Sequence, residues 1–427
     1  MPSDQWPHRR VLIIGAGIQG SGIALELARR GIASTLLERD AQAMNRASVR
    51  GEGKIHLGLM YANDRTGATA EMMLAGAFRF RSIVDPWLPN SPWLACSTPF
   101  IYAVADDSLL TPDELEGHFE AVADSSRLEL SLNRSADYLG SRPAQIAWRL
   151  PDSEVRRHFS DSRVQAAFGT AELAVDTEVM SRAIRDAIGS TSLIDFRPNH
   201  AVSEIEERGD GFTVGGDGPE GTFRLSVEQL VNATWEQRPA LDALLGIAPP
   251  SGLLHRLKFA VNALLPADMS SSPSVTMLLG RYGDVVVRAG GAAYLSWYPI
   301  GLQGWTHDVA PPISWNEPCR GEESVETREI GARIIKEIDQ WYPGIGRSRP
   351  IKVHAGAIVA IGTTDVDDRS SSLHDRTHVG VFSRGAYHSV DPGKLTTAPL
   401  FAIEAADRIA GLCDRSDFGS SARTPDS

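Results

Sequence analysis

Apolar positions along this chain follow two rhythms that alternate from block to block. The run Val11–Ile14 has no polar interruption and reads as a strand buried on both faces. Ile18, Ile23, Leu27 and Ala28 follow at roughly helical spacing, Gly31 marks a stop, and Thr35–Leu37 form a second strand ending on Glu38. The same style returns in ELAVDTEVMSRAIRDAIG, where Asp176 is placed to cap a helix. Val179, Ala183, Ile184 and Ala187 share one face of that helix, and Gly189 ends it. His200, Ala201 and Val202 open a further strand, Gln229–Ala233 form another, and Val379–Leu412 reads strand, loop, helix.

The intervening stretches differ. Trp87, Pro89, Pro92, Trp93 and Pro99 mark a change of unit, followed by a short strand at Phe100–Val104 and an acidic helix after Thr111. Further on, Asp284–Arg288 and Ala292–Tyr298 read as antiparallel strands joined at Ala289–Gly291. Ile330, Ile334, Ile338 and Trp341 line one side of a helix over Ser324–Trp341, which Pro343 closes. An α/β class is expected (α+β overall), with one discontinuous unit over residues 9–84, 152–236 and 352–413. A second unit takes 85–151 and 237–351, and 414–427 is expected to be a disordered tail.

The turn after the first strand carries chemistry. Gly15, Gly17 and Gly20 are spaced G-x-G-x-x-G between a strand and a helix, the arrangement that lets a backbone approach a pyrophosphate at a helix N-terminus. Glu38 falls where a carboxylate accepts hydrogen bonds from an adenosine ribose and repels a 2′-phosphate, which favours FAD or NAD over NADP. Gly216, Gly218 and Gly221 match the same spacing, but Pro219 and the alternating residues after it describe a hairpin.

Composition narrows the partners. The 427 residues carry 42 basic and 54 acidic side chains, a formal charge of −12 that speaks against a nucleic-acid or anionic-membrane surface. No apolar run approaches a membrane span, and the segment before Val11 is short and mostly polar, so a cytoplasmic protein is expected. Cys96, Cys319 and Cys413 lack disulfide or metal spacing and read as reduced thiols, and no metal site is expected.

Five motifs in order, GAGIQG with Glu38, SVRGEGKIHLGLMY, ELAVD, VNAT at Val231–Thr234 and DPGKLTTAP, resemble a known family over nearly the whole chain. It is the FAD-dependent oxidoreductase family built like D-amino-acid oxidase, with glycine and sarcosine oxidases, glycerol-3-phosphate dehydrogenase and L-2-hydroxyglutarate dehydrogenase among its members. The resemblance implies a Rossmann-like FAD-binding domain with an interleaved antiparallel β-sheet substrate domain. It also implies that Gly15, Gly17, Gly20 and Glu38 hold the ADP half of FAD and that Val202 meets the adenine through its backbone. Ser48, Gly53 and His56 are expected on one side of the flavin ring. Gly393, Lys394, Leu395 and Thr396 are expected to present N–H groups to its pyrimidine edge.

Two anion anchors common in the family are absent. Met60 stands where the glycerol-phosphate branch has an arginine, and His354–Ile358 replaces the G-x-R-P segment of the amine oxidases. Arg288, Arg376 and Arg384 are the remaining candidates for an anionic substrate group, and Tyr298 and Tyr294 are candidates for the pocket or the core. His56 has three readings: a base beside the flavin, a covalent flavin link, or a loop-packing residue. His388 reads as a second base or an exposed turn residue, Lys394 as a pocket or a surface lysine, and Asp365, Asp367 and Asp368 as a solvated loop.

The chemistry expected is hydride removal from a CH–OH or CH–NH carbon of a small-molecule substrate onto flavin N5, with oxygen or another acceptor taking the electrons. A single dinucleotide turn leaves no second Rossmann domain to deliver NADPH. An aromatic-hydroxylase-type monooxygenase and a non-catalytic FAD-binding protein are the alternatives.

Overall fold

Every residue of Val11–Ile14 is buried, because this strand lies inside a six-stranded sheet. The computed structural model describes residues 11–89, 91–160, 163–209 and 211–420, with side chains as far as 413. The strand order is Gly380–Arg384, Tyr387–Asp391, Gln229–Asn232, Val11–Ile14, Ser34–Leu37, Ile194–Arg197. All neighbours are parallel except the first pair, which is an antiparallel hairpin.

The period-two alternation of a strand divides this sheet's core. Val11 and Ile13 pack on one side against helices Ile18–Arg29, Ala68–Val84, Thr177–Ser190 and Ala398–Ser420. Leu12 and Ile14 point the other way, onto a three-stranded meander of Ala201–Arg208, Gly211–Gly218 and Gly221–Val227. The second glycine triplet is thus a hairpin, as its proline indicated, with Gly218 paired to Gly221.

The other unit is a nine-stranded sheet on whose outer face lies helix Val325–Asp339, through Ile330, Ile334, Ile335 and Ile338. Its Phe100–Ala105 strand again splits by parity. Phe100, Tyr102 and Val104 join the first core, whereas Ile101, Ala103 and Ala105 join the second, so this strand ties the two units together. Pairing is antiparallel apart from Ser274–Met277 beside Phe100–Ala105, two strands contributed by separate stretches of chain. Helix starts are capped as the side chains dictate, by Asp176 and by capping boxes at Thr111 and Ser324.

Several expectations shift. Strands Val164–Thr170 and Arg349–Ile361 belong to the nine-stranded sheet, so the chain returns to the nucleotide unit later than residue 152 and later than residue 352. Residues 9 and 10 lie outside the described residues. The final helix continues through Ser420 into the segment expected as a tail, and 421–427 lie outside the described residues. Tyr298 does not extend the Ala292–Trp297 strand. With Pro299 behind it, it starts a short helix, Tyr298–Gly301. Among the described residues no helix is long and apolar enough to cross a membrane.

Candidate active site

The glycine turn is forced by its neighbours. Gly15 has φ +94°, and a Cβ there would stand 2.8 Å from the Ala233 carbonyl oxygen. A Cβ on Gly20 would stand 1.9 Å from the Gly15 carbonyl oxygen, so the helix can meet the turn only through a glycine. Before Gly17 there is open space except for Ser48 Oγ, 3.0 Å from where a Cβ would be. That hydroxyl accepts the Ile18 N–H at 2.9 Å.

Glu38 is fixed from both sides. One carboxylate oxygen accepts the Ala16 N–H at 2.8 Å and the other the Asp40 N–H at 3.0 Å. Burial raises its pKa and these two bonds oppose the rise. Gly15, Gly17, Glu38, Ser48, Val202 and Thr234 surround a cavity of about 230 Å³. A second cavity of about 360 Å³ adjoins it, sharing Ile18, Ala47, Ser48, Trp235 and Pro392.

Gly53, Lys54 and His56 line the second cavity. Gly53 has φ +83°, and its Cβ would lie 2.2 Å from the Val175 carbonyl oxygen where the loop crosses the ELAVD stretch. The His56 N–H donates to Thr396 Oγ1 at 2.8 Å, which fastens this loop to the segment before the last helix. The imidazole is 1% exposed, and neither ring nitrogen has a hydrogen-bond partner among the described residues. Its Nδ1 lies 3.8 Å from Glu172 Oε1. Burial, and then the Lys394 and Lys54 charges, hold His56 well below its ordinary pKa, so the ring is neutral.

Behind His56 is a wholly buried carboxyl. Glu172 accepts the Leu57 N–H at 2.6 Å and the Tyr102 hydroxyl, and burial pushes its pKa up to about 7. Lys54 Nζ lies 3.0 Å from Asp284 Oδ1, donates also to Thr276, and sits 4.3 Å from the centre of the Phe100 ring. Burial alone would raise the Asp284 pKa, but the Lys54 and Lys258 charges hold it well below the carboxylate range.

Gly393, Lys394 and Leu395 also line this cavity, with Gly393 at φ +64°. Lys394 is held down to about 8, by desolvation first. Thr396 is not on the wall. It is fully buried behind it, where its hydroxyl serves His56. Tyr298 does reach the cavity: its hydroxyl accepts from Arg256 Nη1 at 2.9 Å and donates to Asp365 at 2.7 Å.

Three expected site residues lie elsewhere. His388 belongs to the Tyr387–Asp391 strand and not to a loop; it is buried, bonded through Nδ1 to Ser383 Oγ at 2.8 Å, and lines neither cavity. Burial and the Arg408 charge hold it down to about 4, so the base role assigned to it has no geometric support. Arg384 is exposed near the end of the Gly380–Arg384 strand, bonded to the Leu245 carbonyl and Glu207. Arg288 is outside the lining of both cavities, where Nη2 donates to the Glu52 carbonyl at 3.2 Å and Nε has no hydrogen-bond partner among the described residues.

The cavity holds two cations that sequence reasoning missed, Arg256 and Lys258, which project into it from the strand Leu253–Leu264; Arg376, one of the three candidate arginines, reaches it from a loop. The signal was present as charges two apart in the otherwise apolar stretch LLHRLKFAV, since residues two apart share a strand face. Asp365 is not merely solvated, being bonded to Tyr298 and near two arginines. Among the described residues no group of side chains could hold a metal ion, and none of the three cysteines is in a disulfide.

Residues 10–408 match the family model described as DAO, FAD dependent oxidoreductase. The chain belongs to that family. Its fold is that of glycine oxidase from Geobacillus kaustophilus, with 15% identity, 94% of each chain covered and a TM-score of 0.65. Iminodiacetate oxidase from Chelativorans sp. BNC1 matches at 15% identity over 94% of this chain and 95% of that one, TM-score 0.66. The L-α-glycerophosphate oxidase of Mycoplasma pneumoniae, a structure with FAD bound, matches at 15% identity over 95% of each, TM-score 0.61. A curated relative, the bifunctional tRNA 5-methylaminomethyl-2-thiouridine biosynthesis protein MnmC of Chromohalobacter salexigens, is 40% identical over 83 residues. That match spans 19% of this chain and 11% of the relative's length.

DAO members are FAD-dependent oxidoreductases, and the residues present suit FAD. The open approach to Gly17, the fixed carboxylate of Glu38 and two adjoining cavities of unequal size match a dinucleotide with a bulky ring at one end.

Proposed function

We propose that this DAO-family chain removes a hydride equivalent from a CH–NH or CH–OH carbon of a small donor bound in the larger cavity. Glu38, Gly17 and Ser48 would hold the ADP half of FAD, with the Val202 backbone toward the adenine, and Gly53 and Gly393–Leu395 would line the ring's cavity. Bound FAD supplies the hydride acceptor at N5. His56 accepts the donor's N–H or O–H proton. The observation that carries this role is that His56 is neutral, on the cavity wall and without a hydrogen-bond partner at either ring nitrogen. Tyr298 and the cavity cations orient the donor, and oxygen or another acceptor removes the electrons.

The test is anaerobic mixing of the FAD-loaded protein with amino acids, hydroxy acids and polyols, followed by flavin absorbance. Bleaching by at least one such donor, slowed in His56→Asn, is expected. Bleaching by NADPH alone, or by no donor, overturns the reading.

A further inference from the structure

We propose that Asp365 is an internal counter-anion standing in for the donor's own acidic group, which displaces it from Arg256. The inference rests on the larger cavity being the donor site. It adds that the donor carries a carboxylate or a phosphate, and that one residue of this chain competes with it.

The cavity is unevenly charged. Lys54 is matched by Asp284 and Thr276, but Lys258 and Lys394 have neither a hydrogen bond nor an ion pair from their side chains among the described residues. Among the described residues the Arg376 side chain bonds only to the Val359 carbonyl, at 3.5 Å. Burial, and then the charge of Arg256, lowers its pKa, and both side chains line the same cavity. Arg256 is 3% exposed and its Nε has no partner. Buried cations of one sign gathered on a cavity wall repel each other unless an anion joins them.

Asp365 supplies that anion incompletely. Its Oδ1 accepts the Tyr298 hydroxyl at 2.7 Å but remains 3.7 Å from Arg256 Nη1, beyond hydrogen-bond range. Its other oxygen lies 3.5 Å from Arg281 Nε, on a side chain that is 46% exposed. Arg281 also stacks near the Tyr298 ring, 5.7 Å from its centre. The carboxylate is therefore shared between a buried arginine facing the cavity and an exposed one. A donor acid group can take the Arg256 and Tyr298 contacts, including the orphaned Nε, while Asp365 keeps Arg281.

The experiment measures binding of non-oxidisable probes to the FAD-loaded protein through flavin absorbance. The probes are acetate, succinate, inorganic phosphate and neutral glycerol, tested on the parent, Asp365→Asn, Arg281→Met and Arg376→Met. Asp365→Asn is expected to bind its best anion about tenfold more tightly than the parent. Arg281→Met, which leaves Arg256 as the one arginine beside Asp365, is expected to bind it more weakly, as is Arg376→Met. Preference for acetate or succinate over phosphate identifies a carboxylate donor, and the reverse a phosphorylated one. Weaker or unchanged anion binding in Asp365→Asn, or glycerol bound as tightly as the anions, overturns the proposal. Because the probes are not oxidised, tight anion binding with no donor turnover would sink the proposed activity and leave this inference standing.

Discussion

His56 Nδ1 faces the carboxylate of Glu172 across 3.8 Å inside a region from which water is excluded. Neither partner favours its charge alone: burial keeps the imidazole neutral and pushes the carboxyl up to about 7. When His56 takes a proton, the imidazolium forms beside a group able to balance it, as in other buried histidine–carboxylate pairs. His56→Asn is expected to slow anaerobic flavin reduction by about 10²- to 10⁴-fold with FAD still bound. In Glu172→Gln the imidazolium lacks its counter-charge above about pH 7, where the parent's carboxyl is ionised, so the reduction rate is expected to fall about tenfold there and little at lower pH. An equal loss on both sides of pH 7 would deny the coupling.

The same carboxyl makes stability pH-dependent. From an ordinary 4.5, Glu172 rises to about 7 in the fold, so between those values the folded chain keeps a proton that the unfolded chain has released. Stability from this site therefore falls as pH rises through the interval, by at most about 1.4 kcal/mol per unit. His56 acts in the opposite sense. Unfolded chains gain a proton below 6.5 that the buried ring refuses, so its contribution rises with pH. Thermal melts at pH 5 and pH 8 should show Glu172→Gln gaining on the parent at the higher pH. An equal difference at both values would mean that the carboxyl titrates normally.

Close approach and open space can be told apart at two glycines. Gly20→Ala puts a methyl 1.9 Å from the Gly15 carbonyl oxygen and should cost roughly 3 kcal/mol and yield protein without flavin colour. Gly31, at φ +79° with nothing within 4 Å, should lose only about 1–2 kcal/mol as alanine and stay yellow. Chemical denaturation with an absorbance scan reads both.

Lys54 and Asp284 test the buried ion pair. Lys54→Met strands the carboxylate and should destabilise the fold by about 3–5 kcal/mol. Pairing it with Asp284→Leu should restore a large part of the loss, measured by denaturant midpoint. No recovery would show that the two side chains act independently.

Much of the nucleotide end was legible because its information is local. The strand, glycine turn, helix and Glu38 follow one another from Val11 to Glu38, and steric rules act over a few residues. The donor end was legible only in part. His56, Gly53 and Gly393–Leu395, which the resemblance set beside a flavin ring, line the larger cavity. Arg256 and Lys258 came from a strand that pairs with three others, and nothing near them in sequence points to His56. His388 misled because polar residues in HSVDPG suggest a loop, whereas pairing with Val231 and Ser383 makes it sheet interior. Glu172 opens the ELAVD motif, but nothing in that stretch marked it for the donor end, since its importance comes from burial, which a single sequence does not print.

The bond from the His56 amide to the Thr396 hydroxyl joins residues 340 apart in sequence. A ribosome therefore releases the His56 loop long before the partner that fixes it exists. Polypeptides ending upstream of Thr396 lack that clasp and leave the His56 amide without this acceptor.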